Sequence, residues 1–93
     1  MIKTFRHKGL KWLFEDGTSR GQISKQWEQK INRRLDSIDA ATHVGDLNLP
    51  GYDLHELKGK RKGTWSITVT GNYRITFSFK NGNAFDVDIE DYH

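Results

Sequence analysis

From residue 65 onward the apolar side chains keep to odd positions. They run Trp65, Ile67 and Val69, then Tyr73, Ile75, Phe77 and Phe79, then Phe85, Val87 and Ile89. Successive residues of a strand point to opposite faces, so this alternation describes three strands sharing one apolar face. Gly71-Asn72 and Asn81-Gly82-Asn83 separate the runs and carry hairpin signals. Parity also sets the loop lengths. A two-residue Gly71-Asn72 turn would place Val69 opposite Arg74 and mix apolar with charged side chains. A three-residue loop over 70–72 pairs Val69 with Tyr73 and removes the conflict, with Asn72 tolerating a left-handed backbone. The same reasoning favours a three-residue loop over 81–83, pairing Phe79 with Phe85 and Ile75 with Ile89.

The opposite face then carries Thr64, Ser66, Thr76, Ser78, Asp86 and Asp88. On it Arg74 lies opposite Thr68 on one side and Glu90 on the other, diagonal to Tyr92. Helices must cover the apolar face, so the polar face is left open. The final DIEDYH is thereby expected to be a strand end beside an arginine rather than a frayed tail. One β-bulge would invert part of this pattern.

The helices come first in the chain. Residues 2–6, IKTFR, alternate and read as a short N-terminal strand. A helix over Lys8 to Asp16 puts Leu10, Leu13 and Phe14 on one face and stops at Gly17. Ser24 suits an N-cap. Ile23, Trp27, Ile31, Leu35 and Ile38 recur at helical spacing and define a second helix ending near Ala40 or Ala41. Lys25, Lys30, Arg33 and Arg34 lie mostly off that stripe, toward a nucleic acid, a protein partner or water. Residues 43–53, with the one Pro, form the main irregular connection. LHELKGKRKG then reads as a short strand entering a basic loop. The order β-α-α-β-β-β-β is an α+β domain spanning residues 1–93, with an antiparallel β-meander packed on the helices.

Composition narrows the chemistry. Ninety-three residues make one small domain, whose core must lean on large side chains. The absence of Cys excludes disulfides and thiolate zinc sites. No apolar run approaches a membrane span, and the basic, aromatic N-terminus lacks a signal-peptide core; a soluble cytoplasmic protein is expected. Charge is segmented. Residues 1–34 hold nine Lys/Arg against three acids, and residues 58–80 hold six Lys/Arg and no acid. Residues 35–57 and 81–93 hold acids alone. Such blocks suit a positive patch facing phosphates, although an ordinary solvated surface is the commoner outcome.

The residues with chemistry to offer are His55, Lys58, Arg74, Asp91, Tyr92 and His93. They form no Ser-His-Asp or Cys-His order, no phosphate-binding glycine loop and no metal-ligand spacing, so no metal or other cofactor is expected. They suit metal-independent RNA cleavage. That reaction needs a base for the ribose 2′-OH, a cation for the phosphorus centre and an acid for the leaving 5′-oxygen. Imidazole titrates in the useful range, and guanidinium meets phosphate in a planar, bidentate fashion. Each residue also has a plainer reading. Arg74 can pair with Glu90 across the sheet, His55 can be a surface residue, and Tyr92 and His93 can pack or fray. The run Lys58, Lys60, Arg61 and Lys62 can be a solvated hairpin loop as well as a phosphate contact.

DLNLPGYDLHELKG, GTWSITVTGNYRITFSF and the final DYH, with the opening IKTFRHKGLKWLFEDG, closely resemble HigB toxins of the RelE superfamily. The resemblance spans the chain and is loosest over residues 18–35. It implies a RelE-like microbial ribonuclease fold and the toxin of a type II toxin–antitoxin pair. By that resemblance the protein would cleave mRNA in the ribosomal A site and inhibit translation. The family's active-site positions fall on His55, Arg74, Asp91, Tyr92 and His93, with Lys58 a phosphate contact beside Lys60, Arg61 and Lys62. Arg74 would stabilise phosphate, His55 and His93 would move protons or place substrate, and Tyr92 would stack on the substrate. The implied partners are a HigA-type helix-turn-helix antitoxin, the ribosome with its rRNA, and mRNA. A non-enzymatic DNA gyrase inhibitor, like the ParE toxins, is the alternative on the same fold.

Overall fold

A computed structural model describes residues 1–91. Helix α1 (Lys8–Asp16) starts at His7, whose Nδ1 accepts from the Leu10 amide, and ends at Gly17 in the left-handed conformation. Helix α2 (Lys25–Ala40) begins after Ser24, but the serine side chain makes no cap bond. Glu28 closes that junction instead, accepting from both the amide and the hydroxyl of the buried Ser19. Four strands follow: β1 (His55–Glu56), β2 (Thr64–Thr68), β3 (Tyr73–Lys80) and β4 (Asn83–Asp91). They form one antiparallel sheet in the order β1-β2-β3-β4.

Both helices lie on one face of this sheet. Leu10, Leu13, Ile31, Leu35 and Ile38 meet Ile67, Val69, Ile75, Phe77, Ala84 and Val87 in a single core. Burying each larger side chain contributes roughly 1.5–3 kcal/mol, which is how a small domain affords its chain entropy. Arg34 departs from the expected polar surface of α2. It is buried beside the core, with Nε donating to the Thr68 carbonyl at 2.7 Å and the guanidinium over the Tyr52 ring.

The β2–β3 hairpin pairs Ile67 with Ile75 and Thr68 with Arg74, and Val69 N donates to Tyr73 O, as the three-residue loop requires. Its closure differs from expectation. Neither Gly71 nor Asn72 adopts a positive φ; the Thr70 hydroxyl accepts from the amides of Asn72 and Tyr73 and closes the loop.

The β3–β4 hairpin departs further. Lys80 pairs with Asn83, so the turn is the two residues Asn81 and Gly82, both at positive φ. That is the Asn-Gly geometry that matches strand twist best. Phe79 therefore faces Ala84, not Phe85, and Phe85 pairs with Ser78 on the polar side. Asp86 and Val87 then oppose Phe77 alone, with Asp86 at φ 54, a β-bulge that restores the original parity. Beyond it Thr76 faces Asp88, Ile75 faces Ile89 and Arg74 faces Glu90, the register expected from alternation.

The N-terminal strand is reduced to two parallel bridges, Ile2 with Ala84 and Phe5 with Val87, along the free edge of β4. The bulge lies between them and interrupts the ladder. Thr4 Oγ1 accepts from the Asp86 amide at 2.8 Å, which satisfies the displaced donor. None of the helices is long and apolar enough to cross a membrane among the described residues.

Candidate active site

The polar face gathers its charged groups near the start of β3. β1 is only two residues long, and it places His55 opposite Ser66. The residues before it set the imidazole. Asp53 sits at φ 47, and its carbonyl lies 3.0 Å from His55 Nδ1. On the other side of the ring, Nε2 lies 3.2 Å from Arg74 Nη1. A guanidinium has donors only, so Nε2 is the acceptor and Nδ1 carries the proton given to Asp53. The contact spans the strand between them, over Ser66, which is buried and whose hydroxyl has no partner among the described residues.

Arg74 is 9% exposed. It extends from the central strand, where the core beneath fixes its backbone. The cross-strand Glu90 does not follow the plainer reading of a pair with Arg74. Its carboxylate takes both guanidinium nitrogens of Arg61, one at 2.8 Å, and a 2.6 Å bond from the Thr76 hydroxyl. The Arg61 bonds hold the Glu90 carboxyl below the usual carboxylate range against the opposing effect of burial, with Thr76 adding to them. This clasp joins the basic loop to the sheet across 29 positions of sequence. Glu56 fastens the other side of the loop by accepting from the Gly63 amide.

Lys58 and Lys62 flank the short 3-10 turn Gly59–Arg61, Lys60 lies within it, and all three are exposed. Arg61 shares their loop, yet its charge is directed inward to Glu90. Lys60 and Arg61 also line a cleft of about 210 Å³ with Thr64, Thr76 and Ser78. Asp91 ends β4 opposite Tyr73 and borders a groove of about 760 Å³ between the start of α2 and the β2–β3 loop. Tyr92 and His93 lie outside the described residues. The geometry thus brings His55 and Arg74 into contact on the open face, leaves Asp91 at the same end of the sheet but toward α2, and sets the lysines along the β1–β2 loop.

Two contributions escaped sequence reasoning. Thr76 was placed on the polar face, but alternation holds no sign that it orients Glu90. Arg34 reaches the site's foundations from a helix position that looked solvent-facing. Among the described residues no three His, Cys, Asp or Glu side chains form a metal-binding cluster.

This arrangement sets a guanidinium, a group suited to phosphate, against an imidazole whose Nε2 lone pair accepts from it. That lone pair is released for a proton only when an anion takes over the guanidinium. It can hold a phosphate and take a proton from a neighbouring hydroxyl. Residues 3–93 match the family of RelE-like toxins of type II toxin–antitoxin systems, HigB. The Endoribonuclease HigB of Proteus vulgaris is 56% identical over 93 residues, covering 100% of both chains. Toxin HigB-1 of Vibrio cholerae serotype O1 is 32% identical over 91 residues, covering 97% of this chain and 96% of that one. The fold resembles a toxin in the heterotetrameric YoeB-YefM complex of Staphylococcus aureus, with a TM-score of 0.65 at 21% identity, covering 100% of this chain and 95% of the other.

Proposed function

Because the chain belongs to the HigB-like toxins of type II toxin–antitoxin systems and is an endoribonuclease, we propose that it cuts mRNA in the ribosomal A site. The observation that carries this reading is the His55–Arg74 contact on the open face of the sheet. Arg74 holds the scissile phosphate, leaving the His55 Nε2 lone pair to accept the ribose 2′-OH proton. The 2′-oxygen attacks phosphorus, the 5′-oxygen leaves with a proton from a second acid, and a 2′,3′-cyclic phosphate remains. By the resemblance we give that second proton transfer to His93 and stacking on a base to Tyr92, and keep Asp91 in the active-site set without a proton-transfer role. Lys58, Lys60 and Lys62 bind flanking phosphates and ribosomal RNA. Arg61 supports their loop through Glu90.

An antitoxin is the partner of such a toxin; we assign it to the HigA-type helix-turn-helix proteins. The work site is the cytoplasm, where ribosomes translate. No cofactor enters the steps above.

The experiment compares purified protein on naked mRNA and on mRNA in a translating extract. The expected result is cleavage within reading frames only under translation, with 2′,3′-cyclic phosphate ends. Equal cutting of naked RNA would overturn ribosome dependence, and different end groups would overturn the 2′-OH route.

A further inference from the structure

Arg34 is the charged residue least at home where it stands. It is nine-tenths buried on α2, on the opposite side of the sheet from the polar face. Among the described residues no carboxylate pairs with it. Its partners are the Thr68 carbonyl at 2.7 Å, the Gly51 carbonyl at 3.5 Å and the Tyr52 ring, 4.4 Å from the guanidinium carbon. As a source of stability this is a costly arrangement, since desolvation of the guanidinium is offset by two carbonyls and a ring contact and by no opposite charge.

Its contacts share a geometry. Thr68 is the residue directly opposite Arg74 in the sheet. Gly51 and Tyr52 belong to the loop that delivers His55, immediately before Asp53, whose carbonyl holds the imidazole. The Thr68 amide donates to Tyr52 O at 2.7 Å, and the Tyr52 hydroxyl meets Ser37 on α2 at 2.9 Å. One planar cation therefore links the end of β2, the 48–53 loop and α2 at a single point. That loop has no strand of its own, and its two positive-φ residues, Gly51 and Asp53, make its path specific.

We propose that Arg34 is a positioning residue that sets the His55 imidazole against Arg74. It acts through Tyr52 and Asp53 on one side and Thr68 on the other. The inference rests on the assignment of His55 and Arg74 to the cleavage site. Without Arg34 the loop keeps the Thr68 amide and Ser37 bonds to Tyr52 but loses the tie at Gly51 and the stack on the Tyr52 ring. The Asp53 carbonyl then shifts, and His55 samples both tautomers and several ring orientations.

Arg34→Met keeps the apolar stem and removes the donors and the charge. The cleavage rate on saturating ribosome-bound message is expected to fall about ten- to a hundredfold, with KM changed by less than about twofold. Long-range 15N–1H correlation spectra are expected to show His55 as the Nδ1–H tautomer in the wild type and as a mixture in the variant. Arg34→Lys retains a donor for Thr68 but loses the stack on Tyr52, so its rate and ring signals should fall between the two. If Arg34→Met does not fold, Arg34→Lys decides. Wild-type ring signals in a folded variant overturn the proposal, even where the rate falls. If His55→Ala cleaves normally, the site assignment fails, whereas the ring signals still decide whether Arg34 sets His55.

Discussion

The two ends of the β3–β4 ladder were set by different rules. At the base, Arg74 with Glu90 and Thr76 with Asp88 stand where apolar alternation puts them. At the tip, Lys80 with Asn83 and Phe79 with Ala84 stand one residue away from that register, where the Asn-Gly turn puts them. Neither rule yields, and the extra residue at Asp86 reconciles them. The lesson is that a bulge decouples local turn chemistry from the burial pattern. The base keeps the register that sets Arg74 opposite Glu90, while the tip adopts the Asn-Gly turn that suits strand twist.

The comparison is broken most severely at the base. His55→Ala should lower the cleavage rate by about 10²–10⁴-fold, the usual worth of a positioned general base, and leave cooperative unfolding intact. Single-turnover assays with parallel thermal melts check both halves. At the bulge the effects should reverse. Asp86 occupies φ 54, so Asp86→Val should destabilise by about 1–2 kcal/mol with cleavage retained, whereas Asp86→Gly should cost nothing or add stability. Urea unfolding beside the same cleavage assay separates these outcomes.

At the tip Gly82 has φ 78, and an added Cβ would stand 3.4 Å from the Thr42 carbonyl. Gly82→Ala should therefore destabilise by about 1 kcal/mol, again with cleavage retained. The smallest effect belongs to the Arg61–Glu90 clasp, which is partly exposed. Glu90→Gln should cost less than about 1 kcal/mol at neutral pH. Its pH dependence has a definite sign. The folded carboxyl titrates below its ordinary value of 4.5, so its contribution is present above that value and lost as pH falls through the depressed one. Wild type and Glu90→Gln should converge in urea-unfolding stability as the medium is acidified, and a gap that widens would refute the assignment.

Much of this architecture is legible in residue order. Helix α1 and its Gly17 stop, the stripe of α2, and the faces of β2 and of the base of β3 follow from periodicity, because burial there imposes one answer. The tip was misread because alternation was extended through Phe85, although Asn81-Gly82 encoded the shorter turn. A bulge has no apolar signature; Asp86 simply leaves the pairing. The N-terminal strand pairs with β4 as two separate bridges and not as a continuous ladder, because the bulge lies between them.

At the site, side-chain chemistry and then the resemblance pointed to His55 and Arg74, but their contact depends on a loop whose path periodicity does not describe. Arg61 and Glu90 were individually visible. Their pairing was not, because it closes over a loop. Arg34 was the hardest to read. A charge beside an apolar stripe normally faces water, and the Thr68 and Gly51 carbonyls together with the Tyr52 ring make its burial tolerable.

The central claim is that the base of the sheet, through Arg74, stabilises charge on a cleaved phosphate. Single-turnover cleavage of ribosome-bound mRNA by Arg74→Ala tests it most directly. The rate should fall by about 10²–10³-fold in a protein that still binds ribosomes and unfolds cooperatively. Cleavage at the wild-type rate by that folded variant would contradict the account.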